Sequence, residues 1–271
     1  MPAPAEERPI AWFRDEASVR GMLYLAPAQP RAACVICNPI FEERKSAHRV
    51  LVDCARTLAA GGITTLRFDY RACGDSDGEA AALTLATAVA DTQTAIDVVR
   101  RESGANVVHA LGLRVGAAIA ARAAQAGELE RLLLWQPTVS GADYLRAELR
   151  KKLMKEMIGT GTAQTRREGL DAQIARGESI DFDGHVLSAA LYTELQALDL
   201  AAEPLPDLQA TRIVGIGPST QLSRELETLR SAWAAGPNVD AEAMRLQPFW
   251  NLIGMSACPD LIAATCDWLR T

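Results

Sequence analysis

The segment Gly112-Leu113-Arg114-Val115-Gly116-Ala117-Ala118 follows a short apolar run and opens an alanine-rich stretch of helical character. Gly-x-x-x-Gly at such a junction has the sterics of a strand-to-helix elbow, because residues without bulk let the turn close and let the helix approach the sheet. A working elbow presents Ser, Cys or Asp as a nucleophile at its middle position. Here that position is Arg114, whose guanidinium neither attacks a carbonyl nor gives up its proton. A second group, Cys37-Asn38-Pro39-Ile40-Phe41-Glu42-Glu43, ends an earlier apolar run and supplies two carboxylates. A third, Leu66 to Ser76, runs from a strand into a turn dense in Gly, Asp and Ser.

A guanidinium at the start of a helix meets the positive end of its dipole, a disadvantage of roughly 0.3–1 kcal/mol that a nearby anion should offset. Glu42 or Glu43, with Glu43 favoured, is therefore expected to pair with Arg114 from the loop after the first parallel strand. If neither does, Arg114 and the helix N-terminus together would make a site for a carboxylate or phosphate. As an enzyme, the site would use Arg114 to polarise a carbonyl or hold an anionic substrate, with Glu42 or Glu43 acting on water. Asn38, Phe41, Leu113, Val115 and Trp250 are the expected pocket lining. Equally compatible with the sequence is an Arg114 that only plugs a dead site.

The elements that must position these residues follow from hydrophobic periodicity. Apolar runs at 34–38, 63–68, 107–111, 132–135 and 213–216 read as buried strands, and 10–14 with 19–26 as an antiparallel pair. Helical stripes run from about Ser46 to Ala60, closed by Gly61-Gly62, through Leu85, Val89, Thr92, Ile96 and Val99, through Leu222, Leu226, Leu229 and Trp233, and from Pro259 onward. Alternating strands and helices predict an α/β fold, a mostly parallel central sheet flanked by helices.

The rhythm breaks between 140 and 206, where about three helical stretches follow one another with at most a short strand at 179–182. This reads as an inserted helical cap on a core formed by 1–139 and 207–271. Its first helix sets Tyr144, Leu145, Leu149, Leu153, Met157 and Ile158 among Arg146, Arg150, Lys151, Lys152 and Lys155. Such a stripe either lies on the core or makes a peripheral membrane or protein contact near 144–158. The first is the plainer reading.

Composition narrows the partners. With 28 basic against 34 acidic residues and a net charge of −6, no basic stripe is available for a nucleic acid. No stretch is long and apolar enough to span a bilayer, the first residues lack the pattern of a signal peptide, and a cytoplasmic protein is expected. Cys34 and Cys37 have C-x-x-C spacing, but within a strand they point to opposite faces, so neither a metal nor a redox pair is expected. Neither Gly112-x-x-x-Gly116 nor Gly215-Ile216-Gly217 completes a dinucleotide fingerprint, and no cofactor is implied.

On these motifs the chain resembles the α/β-hydrolase superfamily, and within it the exosortase A system-associated hydrolase type 2 proteins. The resemblance covers nearly the whole chain. It rests on Pro39-Ile40-Phe41-Glu42-Glu43, Gly112 to Ala117, Leu132 to Pro137 with Ser140-Gly141, Phe249-Trp250, Cys258-Pro259-Asp260-Leu261 and Ala264-Thr265. It implies an α/β-hydrolase fold in which arginine at the elbow is a family trait, an ester or acyl type of hydrolysis, and a role near bacterial exopolysaccharide gene sets. It also implies where triad partners would stand: an acid after the strand at 213–216 and a His before the last helix. Gly217-Pro218-Ser219-Thr220 and Gln247-Pro248-Phe249-Trp250-Asn251 hold neither. His48, His109 and His185 fall elsewhere, and the Asp69 to Ser76 turn is architectural in that superfamily. A catalytically inactive relative that binds a small anionic ligand or a protein partner is the alternative to an enzyme, and a pocket filled by side chains above Arg114 would favour it.

Overall fold

The computed structural model describes residues 6–160, 167–182, 184–236, 238–252, 254 and 256–271. Its sheet begins with an antiparallel pair, β1 (Glu6–Arg14) and β2 (Ala17–Leu25), and continues through β3 (Ala32–Cys37), β4 (Ile63–Phe68), β5 (Val108–Leu113) and β6 (Arg131–Trp135). Every residue of β3, β4 and β5 is buried, as parallel strands covered on both faces require. Two later strands, β9 (Ala210–Gly217) and β10 (Val239–Arg245), complete an eight-stranded order β1-β2-β4-β3-β5-β6-β9-β10, in which only the β1/β2 and β2/β4 pairings are antiparallel.

On one face lie α1 (Phe41–Ala60) and α8 (Pro259–Arg270); on the other, α2 (Leu85–Ser103), α3 (Val115–Ala124) and α7 (Arg224–Trp233). Local chemistry sets their ends. Thr84 and Thr87 form a reciprocal capping box at the start of α2, and Gly104 closes it in the left-handed conformation at φ 68°. Ser223 caps α7, and Pro259 occupies the first turn of α8. Cys34 joins the α1/α8 layer and Cys37 the α2/α3 layer, so the two thiols do point apart.

Between β6 and β9 the chain forms α4 (Gly141–Thr160), α5 (Arg167–Ala175), a hairpin of β7 (Ile180–Phe182) and β8 (His185–Leu187), and α6 (Ala189–Gln196). Three departures from the sequence expectations matter. Helix α1 starts at Phe41 rather than near Ser46, which moves Glu42 and Glu43 from a loop into a first helical turn. Strand β10 was not foreseen, because Val239-Asp240-Ala241-Glu242-Ala243-Met244-Arg245 is a half-exposed edge and not an apolar run. The α4 stripe divides: Tyr144, Leu145 and Leu149 are buried and Leu153 is intermediate, whereas Met157 and Ile158 are exposed, as is neighbouring Met154. No helix among the described residues is long and apolar enough to cross a membrane.

Candidate functional site

Arg114 stands between β5 and α3 with φ 57° and ψ −121°, a conformation that a side-chain-bearing residue adopts only when its surroundings impose it. The imposing parts are visible. A Cβ on Gly112 would fall on the backbone of Gly116 and Ala117, and one on Gly116 on the carbonyl oxygens of Cys37 and Asn38, so both glycines let backbones touch. The Arg114 amide donates to the Trp135 carbonyl at 3.1 Å, and its own carbonyl accepts from Ala117 at 3.0 Å and Thr138 at 3.1 Å. The turn is a nucleophile elbow in every respect but its residue.

From there the guanidinium reaches Glu43: Nε donates to Oε1 at 3.1 Å, and Nη1 donates to the Gln136 carbonyl at 3.4 Å. The guanidinium carbon lies 5.3 Å from the Trp250 ring centre and 5.9 Å from that of Tyr144, within cation–π range of both. Glu148, also buried, pairs with Lys151, whose ammonium donates to Asn251 Oδ1 at 2.9 Å. Side chains from α4 and from the 249–251 turn thus occupy the ground above the elbow. Trp250 lies in the segment where the superfamily would carry its histidine.

Electrostatics within this cluster are uneven. Burial pushes the Glu43 carboxyl above the usual range; Arg114 opposes that rise and Glu148 adds to it. Burial works against the Arg114 charge, and the Glu43 carboxylate beside it more than offsets that, so Arg114 stays cationic. Burial also lifts the Tyr144 phenol well above its ordinary value. Four buried polar atoms close to the elbow in the fold have no hydrogen-bond partner among the described residues: Glu43 Oε2, Tyr144 Oη, Asn38 Oδ1 and Thr138 Oγ1. Groups of this kind are normally satisfied by water or a ligand.

Of the two carboxylates expected at the elbow, only Glu43 is there. Glu42 is half exposed, bound to Lys45 at 3.2 Å and 3.7 Å from His185 Nε2. With Arg114 paired, the condition for a free anion site at the helix N-terminus is not met. Asn38 is buried and donates to the Phe68 carbonyl. Phe41, at φ 55°, packs on Phe182 and His185 of the hairpin. Leu113 and Val115, expected to line a pocket, are instead fully buried in the two opposite core layers, as alternation across the elbow dictates. Trp250 alone of the expected lining residues meets the Arg114 guanidinium.

Other nucleophile candidates are disarmed. Burial pushes the Cys37 thiol up to about 12. The Ser76 hydroxyl donates to the Asp69 carbonyl at 2.6 Å and accepts from the Arg20 amide at 2.9 Å. Glu225, the first carboxylate after β9, accepts from the Val139 and Ser140 amides at 3.2 and 3.1 Å and so secures the loop beneath α4. Sequence reasoning passed over Glu148, Gln136 and Glu225, which carry no local signal. A groove of about 990 Å³ opens elsewhere, between β1–β2 and α1, and one of about 470 Å³ near Asn106 and Asp207; Arg114 lines neither.

Strand order, elbow and flanking helices define the α/β-hydrolase fold. Solved structures agree in fold: the esterase Est1E from Butyrivibrio proteoclasticus with ferulic acid bound, at 15% identity and TM-score 0.72, over 96% of this chain and 98% of that one. An esterase from Pyrococcus furiosus is similar at 13% identity and TM-score 0.65, over 98% and 90%. An α/β serine hydrolase without lid from Xanthomonas campestris is similar at 18% and 0.60, over 98% and 95%. The family model for serine aminopeptidase, S33, matches residues 28–176, and the chain belongs to that α/β-hydrolase family. No curated protein matches it.

Proposed function

We propose that this chain is a pseudohydrolase, a member of its family whose elbow holds a buried ion pair in place of a nucleophile and serves binding rather than acyl transfer. One observation carries the reading: Arg114 occupies the elbow, tied to Glu43 at 3.1 Å beneath the Trp250 ring. An acyl-enzyme needs an atom there that can attack, and a guanidinium has none. In this reading residues 140–206 act as a cap over residues 1–139 and 207–271. The partnerless oxygens of Glu43, Tyr144, Asn38 and Thr138 receive a small polar ligand. A cytoplasmic location rests on the sequence pattern of the first residues and the lack of a long apolar stretch, and an association with bacterial exopolysaccharide systems rests on the family resemblance. The exposed Met154, Met157 and Ile158 support a peripheral contact through α4.

A second reading, an ester or acyl hydrolase without serine, is favoured by Glu43 itself. Its Oε2 is free and burial raises its pKa toward the range of a general base. Short- and medium-chain nitrophenyl esters offered to the wild type, Arg114→Ala and Glu43→Gln separate the two. Turnover no greater than buffer supports the pseudohydrolase; turnover lost in both variants establishes the hydrolase and overturns the proposal.

A further inference from the structure

The groove between the β1–β2 hairpin and α1 lies apart from the elbow and has a polar floor. Arg67, on β4, is 8% exposed and lines it. Of the other charged residues lining the groove, Arg44 pairs with Asp69 at 2.7 Å and Arg56 with Glu7 at 2.6 Å, while Asp75, Asp77 and Arg20 are exposed. Arg67 itself has no carboxylate within ion-pair distance among the described residues. Among the described residues its one hydrogen-bonding contact is Nη2 with His48 Nδ1 at 3.4 Å, and its Nε has no partner. His48 is held neutral-leaning by burial and by Arg67 and Arg44, so it answers Arg67 as a weak acceptor and not as an anion.

A buried guanidinium without a counter-charge is costly and is retained where something outside the fold balances it. Arginine offers a planar fork of donors that matches the two oxygens of a carboxylate or phosphate. The remaining lining is complementary to the body of such a ligand. Exposed Asp75 and Asp77 offer acceptors for hydroxyl groups, exposed Arg20 adds a second cation, and Met22, Ile10 and Val52 give an apolar wall. At about 990 Å³ the groove admits a small molecule.

We propose that this groove binds a small hydroxyl-bearing oxyanion, its phosphate or carboxylate group on Arg67 and its hydroxyls toward Asp75 and Asp77. The site is independent of the elbow and of whether the elbow turns over any ester.

The test is calorimetric titration of the full chain with glucose 6-phosphate, glucuronate, inorganic phosphate and neutral glucose, at ionic strength held constant with sodium chloride. At least one anion should bind while glucose does not. Preference for glucuronate assigns a carboxylate head and preference for glucose 6-phosphate a phosphate. Arg67→Met should weaken binding on the order of tenfold or more, the scale of a lost charge-assisted hydrogen bond, and leave the free protein at least as heat-stable as wild type. Arg20→Ala, an exposed change that does not threaten folding, should weaken it several-fold, and the bound anion should shift the His48 ring resonances. Absence of anion binding above the salt control, Arg67→Met binding like wild type, or binding that leaves His48 unmoved each overturns the assignment.

Discussion

Replacing Arg114 by Met removes the cation and keeps most of the side-chain volume, which isolates what the charge does for its partner. Glu43 is 2% exposed and would be left with only the weaker attraction of Lys151, so it would meet the cost by taking up a proton. Each pH unit between an ordinary glutamate and the ambient pH costs about 1.4 kcal/mol, so from a reference near 4.3 the ceiling at pH 7 is about 3.7 kcal/mol. The wild type already bears part of this, since burial outweighs Arg114 and Glu43 stands above its ordinary value. The lost cation–π contacts to Tyr144 and Trp250 add on the order of 1 kcal/mol. Arg114→Met should therefore be about 2–4 kcal/mol less stable at pH 7. The sign with pH is fixed. A carboxyl whose folded pKa is raised has its full stability at low pH and loses it as pH rises through the folded value, and the variant's is raised further than the wild type's. The deficit should shrink toward about 1 kcal/mol near pH 4.5, and adding Glu43→Gln should recover much of it at pH 7, because neither charge then remains. Urea unfolding between pH 4.5 and 8 measures all three. A deficit under about 0.5 kcal/mol at pH 7, or one indifferent both to pH and to the second change, would refute the coupling.

Other expectations concern the frame that holds the site. Asp91 is fully buried and accepts from three donors of Arg71, Nη2 at 2.7 Å, Nε at 3.0 and 3.3 Å, and the amide at 2.9 Å. Asp91→Ala should cost about 3 kcal/mol, the low end for a broken buried pair because exposed Asp15 also reaches Arg71, as judged by urea midpoint at unchanged slope. Gly116→Ala should lose about 3 kcal/mol or yield no soluble protein, whereas Gly217→Ala, with nothing near its Cβ, should sit within about 0.5 kcal/mol of wild type in the same assay. Burial, with Arg131 adding, holds His109 down to about 4. A base with a depressed folded pKa costs stability as pH falls, so unfolding should become easier from about pH 6.5 down toward 4, a slope that His109→Gln should flatten. The ring should show no titration by NMR above about pH 5.

Strands β3 to β6 and helix α2 were legible because burial on both faces leaves apolar runs, and a one-faced helix leaves a stripe with a stop. The elbow was legible for a related reason: Gly112 and Gly116 mark backbone contacts no side chain tolerates. Even the Arg114–Glu43 pairing could be argued, from a helix dipole needing an anion. What failed did so where tertiary context decides. Phe41 enters α1 with positive φ, so no ordinary cap announced the earlier start and Glu42 was placed beside Glu43, though successive helical residues face different ways. Leu113 and Val115 flank the elbow in sequence but are carried into opposite core layers. Glu148 carries no local signal among the basic residues of its helix, and only the docking of α4 buries it.

The claim that the elbow carries an ion pair in a nucleophile's place is most directly tested by exposing the purified chain to an excess of a fluorophosphonate and weighing the intact protein, followed by peptide mapping. The account predicts the unmodified mass, with an active serine esterase labelled to completion alongside. A stoichiometric adduct on any residue of this chain would contradict it, and an adduct on a residue beside Arg114 would mark a nucleophile that the present reading denies.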